Sequence, residues 1–206
     1  MRRTMVVELA GLPGVGKTTT ARAIAEVLGA QYRRVHTATP RDVVRHPVLS
    51  LSSVATLSPR LGHRGAARPK LRLMRQHVAQ RALAAESRQP GLVLCDGMVH
   101  RIAGYWHRDE LAFERRSFAQ ALDTAGVVFF LDAEPTHIRS RIGSKQTLGP
   151  VNEKLAAEEL SGEFWTRMIE VYEEALRSAA CYRTVIRVDA SPNVSKVVDA
   201  IIEYLE

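Results

Sequence analysis

The sequence predicts a three-layer α/β/α domain built on a five-stranded parallel sheet, and three observations carry that prediction. Short apolar runs of strand type, of which Val127-Val128-Phe129-Phe130-Leu131 is the clearest, alternate with segments whose apolar residues recur at helical spacing. The runs are continuous rather than alternating, as strands covered by helices on both faces require. The 206 residues suit one domain with a sizeable core, and no repeat, low-complexity tract or second boundary interrupts residues 1–206.

Taken in order, Thr4–Leu9 is the first strand. Ala21, Ile24, Ala25 and Leu28 then place a helix over Lys17–Leu28, stopped by Gly29. A short second strand lies near Gln31–His36, before a break at Pro40. Asp42–Ser58 is part helical and punctuated by Pro47 and Pro59, and Gly62–Pro69 is a basic, glycine-containing loop. Leu71, Met74, Val78, Ala82 and Ala85 predict a helix over Leu71–Ser87, ended by Pro90-Gly91. Leu92-Val93-Leu94-Cys95 is a buried strand leading to Asp96-Gly97, and a helix over Glu110–Thr124 is closed by Gly126. After the strand Val127–Asp132, Pro135 suits the first turn of a helix through Ile142. Gly143–Pro150 is a loop, and Asn152–Ala180 a long helix with Leu155, Leu160, Phe164, Met168, Val171, Tyr172 and Leu176 as candidate core. A last strand over Thr184–Val188 and an amphipathic helix over Asn193–Leu205 complete the chain.

Composition narrows the function classes. Charged residues make up 25% and apolar ones 46%, ordinary for a soluble globular protein. The net charge of +7 favours anionic partners: a nucleotide, a phosphorylated substrate or nucleic acid. Two cysteines form no disulfide framework, and Cys95, inside an apolar run, is expected to be a small core hydrophobe. Met1-Arg2-Arg3 leads straight into the first strand, and no apolar run approaches the roughly 18 residues of a membrane span, so a cytoplasmic protein is expected.

Everything else serves Gly11-Leu12-Pro13-Gly14-Val15-Gly16-Lys17-Thr18, which fits G-x-x-x-x-G-K-[ST] without a gap between a strand and a helix. Polyphosphate needs many donors close together, and glycines let the backbone bend near enough for successive N–H groups to face its oxygens. The helix starting near Gly16 adds its positive end. The pattern therefore predicts nucleoside triphosphate binding by Gly11, Gly14, Val15, Gly16, Lys17, Thr18 and Thr19. Lys17 is expected to reach the β- and γ-phosphates, and the Thr18 hydroxyl to hold Mg²⁺. A second acid should stand at the end of a buried strand beside this cradle. Asp96 is the first choice for that role; Asp132, which heads Ala133-Glu134-Pro135 and a helix, is assigned a structural one.

Around these motifs the chain resembles the P-loop kinases of small molecules, the nucleoside- and nucleotide-kinase group that includes thymidylate kinase. The phosphate loop through Thr19, Asp96-Gly97 followed by Arg101, and Phe130-Leu131-Asp132-Ala133-Glu134-Pro135 followed by Arg139 and Arg141 carry the resemblance, in the same order and at similar intervals. Val188-Asp189-Ala190-Ser191-Pro192-Asn193 is similar to that group's last strand and turn. Two departures leave the substrate open: thymidylate kinases have an Asp-Arg-Tyr type motif where this chain has Asp96-Gly97-Met98-Val99-His100-Arg101, and Pro13 occupies a loop position often used for substrate contact.

The resemblance implies in-line phosphoryl transfer from ATP with Mg²⁺, in which positioning and charge neutralisation dominate. It implies a lid near 139–151, from which Arg139 or Arg141, two residues apart on one helix, with Lys145 as a third candidate, would stabilise the transferring group. For a hydroxyl acceptor, Asp42 stands where related kinases present a general base, with Asp96 as the alternative. For an acceptor that is already a phosphate, Arg41, Arg72 and Arg101 are better motivated. Tyr105-Trp106-His107 suits either an acceptor wall or core packing, and the basic stretch Arg60–Arg72 suits an anion clamp, a nucleic-acid contact or a solvated loop. His100 and His107 have no metal spacing with Cys95. Nucleoside or nucleotide acceptors rank first, with another hydroxyl metabolite such as a sugar or antibiotic next. The alternatives are a nucleic-acid-associated ATPase and a polynucleotide 5′-end kinase, and a homodimer is an expectation by analogy alone.

Overall fold

The computed structural model describes residues 5–34, 45–48, 51–52, 67–86, 91–95, 97–107, 126–143 and 162–206. Five strands, β1 (Met5–Gly11), β2 (Gln31–Arg34), β3 (Gly91–Cys95), β4 (Val127–Asp132) and β5 (Thr184–Asp189), form one sheet in the order β2-β3-β1-β4-β5. Every neighbouring pair is parallel, with Leu9 opposite both Cys95 and Phe129. Among the described residues six helices flank it, making three layers with the sheet: α1 (Lys17–Val27), α2 (Ala67–Glu86), α3 (Met98–His107), α4 (Pro135–Gly143), α5 (Gly162–Ala180) and α6 (Val194–Leu205). α1 and α6 pack together on the sheet, while α3 packs on α5 and α2.

The central strands are apolar because both of their faces are covered: Val7, Leu9, Val93, Phe129 and Leu131 are buried, as are Val6, Leu92 and Leu94 beneath Leu83 and Ala84 of α2. Burying side chains of this size contributes about 1.5–3 kcal/mol each. From β1 the chain runs out to β2 on one side, and later crosses to β4 on the other. The order of strands thus reverses at β1, and the crevice at the carboxyl end of β1 is where ligands gather in sheets of this kind.

The observed bounds correct the sequence reading in several places. β1 runs two residues further, to Gly11, because Ala10 and Gly11 keep pairing with β4. α2 begins at Ala67, so the last part of the expected basic loop is helical. α3 was not expected at all, although Met98, Val99, Ile102 and Ala103 are buried at helical spacing. In α5, Met168, Tyr172 and Leu176 are core as expected; Phe164 and Val171 are only partly buried, while Trp165, Ala175 and Ala179 are buried without having been singled out. Cys95 is buried and forms no disulfide among the described residues. The expected helix over 110–124, the loop over 144–150 and the start of the helix before Gly162 lie outside the described residues.

Candidate active site

β1 ends at Gly11 and hands over directly to a tight loop. Leu12 and Val15 are buried and anchor it, with the Val15 N–H donating to the Leu12 carbonyl at 3.3 Å. Gly14 and Gly16 have φ of 82° and 105°, a region that side-chain-bearing residues rarely adopt. Gly16 is the N-cap of α1, and no side chain caps that end. The positive end of α1 therefore faces the loop with no side-chain cap at its N-cap residue and no acidic residue in its first turn.

Lys17 is the first residue of α1 and only 8% exposed. Its Nζ donates to the Gly11 carbonyl at 2.9 Å and the Leu12 carbonyl at 3.0 Å, so the ammonium is held across its own loop. Two carbonyl dipoles are what makes a nearly buried ammonium tolerable. Thr18 comes next, its Oγ1 3.6 Å from the Sγ of Cys95 at the end of β3. Thr19 is exposed and Thr20 buried. The contact brings the Thr18 hydroxyl to the last residue before Asp96. A hydroxyl oxygen is a donor of the kind that suits Mg²⁺. Among the described residues no group of three or more His, Cys, Asp or Glu could hold a metal ion.

Beneath the end of β3 lies an element that the sequence reading missed. Glu8, in the middle of the central strand, is 1% exposed. Its Oε2 accepts from Arg183 Nη1 at 3.0 Å and from Gln80 Nε2 at 3.5 Å, and its Oε1 accepts the Val99 N–H at 2.8 Å. Gln80 Oε1 accepts the Met98 N–H at 3.1 Å. β1, α2 and the turn before β5 thus meet at the start of α3. A glutamate inside an otherwise apolar central strand was the signal for it.

The other expected site residues are distributed as follows. Arg101 lies on α3, partly buried, and Arg72 is exposed on α2. Arg139, on α4, has its Nε shielded from solvent with no hydrogen-bond partner among the described residues. Tyr105 and Arg141 lie within α3 and α4, with their side chains outside what is described, while Asp96, Asp42, Arg41, Lys145 and residues 60–66 lie outside the described residues altogether. Of the aromatic cluster, His107 meets Phe164 of α5 edge-on at 4.8 Å and Trp106 packs against the core. His100 Nδ1 hydrogen-bonds the Tyr172 hydroxyl, again from α3 to α5.

Asp132 is 52% exposed and pairs with Arg187 Nη1 at 3.5 Å. Arg187 also bonds Glu173 and lies 5.4 Å over the Phe130 ring. The hydrogen bond it donates to Glu173, opposed by partial burial, holds that guanidinium above its ordinary value. One strand on, Asp189 accepts the Ser191 N–H at 2.8 Å, which holds its carboxyl below the ordinary carboxylate value.

With this geometry in place, comparison with known proteins gives the lineage. A model of the ATPase family associated with various cellular activities (AAA) matches residues 7–132. The chain belongs to the AAA family. The AAA match opens in β1 and closes at the end of β4, so it takes in the phosphate loop, Glu8 and the β3–α3 junction. No curated protein matches the chain by sequence. Among solved structures, this AAA chain is similar to deoxyadenosine kinase from M. mycoides with bound dATP, at 15% identity and a TM-score of 0.59, over 98% of this chain and 99% of that one. It is similar to the YorR protein from Bacillus subtilis in complex with phosphorylated GDP, at 16% identity and a TM-score of 0.59, over 98% and 95%. It is also similar to shikimate kinase from Bacteroides thetaiotaomicron, at 15% identity and a TM-score of 0.51, over 98% of each chain. The fold is the α/β fold of the P-loop kinases. Among the described residues no helix is long and apolar enough to cross a membrane.

Proposed function

We infer that this chain is an ATP- and Mg²⁺-dependent phosphotransferase that moves the γ-phosphoryl group to a small-molecule acceptor, nucleosides and nucleotides first. The observation that carries the reading is Lys17: an almost buried ammonium held on two loop carbonyls, at the uncapped positive end of a helix. That is a site prepared for a polyanion. Residues Gly11 to Thr19 would cradle the phosphates, and Lys17 would exchange its carbonyl contacts for phosphate oxygens. Thr18 and Asp96 would hold Mg²⁺, which supplies neutralisation of the phosphate charge. Arg139, whose Nε has no partner among the described residues, suits a donor to the transferring group. Arg41, Arg72, Arg101 and Tyr105 are assigned to the acceptor side. An acceptor oxygen attacks the γ-phosphorus, the bond to the leaving ADP oxygen breaks, and a hydroxyl acceptor's proton passes to Asp96 or Asp42.

The deoxyadenosine kinase and shikimate kinase likenesses support a small-molecule acceptor, and the sequence resemblance to thymidylate kinases supports ranking nucleosides and nucleotides ahead of sugars and antibiotics. The whole of 1–206 is taken as one domain with its lid near 139–151. The test is a panel of nucleosides, nucleotides and hydroxyl metabolites with ATP and Mg²⁺, with ADP measured and products identified by mass. A phosphorylated nucleoside or nucleotide is expected; transfer to none of them removes that class. The AAA match favours one second reading, an ATPase without a small acceptor, including one associated with nucleic acid. It predicts free phosphate, stimulated by DNA or RNA, and no phosphorylated product. A labelled oligonucleotide 5′ end would instead identify a polynucleotide kinase.

A further inference from the structure

We propose that Glu8 is a positioning residue: its buried carboxylate holds Gly97 and the first turn of α3 in place, and so the chain that follows Asp96. The proposal rests on the assignment of Asp96 to Mg²⁺ made above.

A carboxylate at 1% exposure in a central strand loses its hydration, a penalty of several kcal/mol that its partners must offset. Arg183, itself 3% exposed, supplies the opposite charge. Buried pairs of this kind are often no more stabilising than apolar side chains of the same volume, so stability alone is a weak reason for one here. The remaining contacts give a better reason. The N–H groups of Met98 and Val99, which the helix cannot satisfy itself, are taken by Gln80 and Glu8 rather than by a local cap. Gly97 lies directly on the carboxylate: a Cβ there would stand 2.3 Å from Glu8 Cδ and 2.6 Å from its Cγ and Oε1. Only glycine fits.

The other side of Asp96 is fixed separately. Cys95 is paired in register with Leu9 and touches Thr18. Asp96 is therefore bonded to one residue held by the sheet and another held by Glu8. Three residues after Glu8, the same strand becomes the phosphate loop. One rigid strand thus carries both the loop and the clamp on the residues that follow the acid. Groups that orient ligands without touching the metal typically change metal affinity by about 10- to 100-fold when removed.

The test replaces the pair by apolar residues, Glu8→Met with Arg183→Met, so that no charge is left buried alone. Affinity for a non-hydrolysable ATP analogue is measured by calorimetry in Mg²⁺ and in EDTA, alongside thermal melting and turnover. The expected result is a near-parental melting temperature and an EDTA affinity within about twofold, with the Mg²⁺ enhancement of binding reduced about tenfold and kcat reduced at least as much. Parental Mg²⁺ enhancement in the folded double variant overturns the proposal, since a merely structural pair would leave it intact. If that variant does not fold, Gln80→Leu removes the Met98 contact without burying a lone charge. A loss of about threefold in the same enhancement is then expected, and parental behaviour overturns the proposal. Asp96→Asn separates the two ideas. An Asp96→Asn chain with parental Mg²⁺ enhancement refutes the metal assignment itself, whereas impairment in Asp96→Asn but not in the Glu8 variants refutes only the positioning role.

Discussion

Replacing Lys17 by methionine keeps the length and apolar stem of the side chain and removes its charge. In the structure the ammonium already makes two hydrogen bonds, at 2.9 and 3.0 Å, to the carbonyls of Gly11 and Leu12. Its gain on meeting a phosphate is therefore a difference, ionic contacts exchanged for ion–dipole ones. Hydrogen bonds involving a charged group contribute about 1.5–3 kcal/mol net, and the exchange places the loss at the lower end. At 1.4 kcal/mol per factor of ten, the affinity for an ATP analogue should fall about tenfold. Turnover should fall further, by about 10²–10³, because charge develops on the phosphoryl group only in the transition state. Folding should change little: two carbonyls lose a donor, but an almost buried ammonium no longer needs desolvating. The assays are calorimetric titration of the analogue, thermal melting and ADP release. An affinity within twofold of the parent, in a chain that melts normally, would refute the argument. Lys17→Arg should not rescue it, since a planar fork cannot occupy a site shaped around a point charge between two carbonyls.

Two further predictions concern the last strand and helix. Asn193 caps α6 by accepting the Lys196 N–H at 3.1 Å, so Asn193→Ala should cost about 1 kcal/mol and lower the melting temperature by about 2–4 °C, and an unchanged melt would contradict the cap. Asp189 titrates below its unfolded value because Ser191 donates to it. Its contribution is thus fully present above the unfolded value and disappears as pH falls through the folded one. Carboxyl NMR titration should show the lowered value move back to the ordinary one when the chain turn is broken by Ser191→Pro, and an unshifted Asp189 in the parent would remove the effect.

Much of the architecture was legible along the chain, for local reasons. Val127–Asp132 is a strand in both descriptions because an apolar run of that length, bounded by Gly126 and Pro135, has few alternatives. The α1 start at Lys17 followed from the glycine loop. α3 was overlooked because Tyr105-Trp106-His107 was weighed as a cluster; Trp106, partly buried, packs on the same core as the buried Met98, Ile102 and Ala103 of one helix. Trp165 was passed over in favour of Phe164, since neighbouring aromatics on a helix cannot be ranked without knowing which way the helix turns toward the sheet.

The sequence by itself determined the phosphate loop, the alternation that makes a parallel sheet, and the positions at which strands hand over to site residues. These are properties of neighbours in the chain: a glycine's freedom, an apolar run, a helix that starts where a loop ends. The tertiary structure alone decided that Glu8 meets Arg183, 175 positions away, and Val99, 91 positions away, and that Cys95 closes on Thr18, 77 away. No periodicity encodes such meetings, because they depend on the strand order β2-β3-β1-β4-β5, which brings distant segments to one end of one central strand.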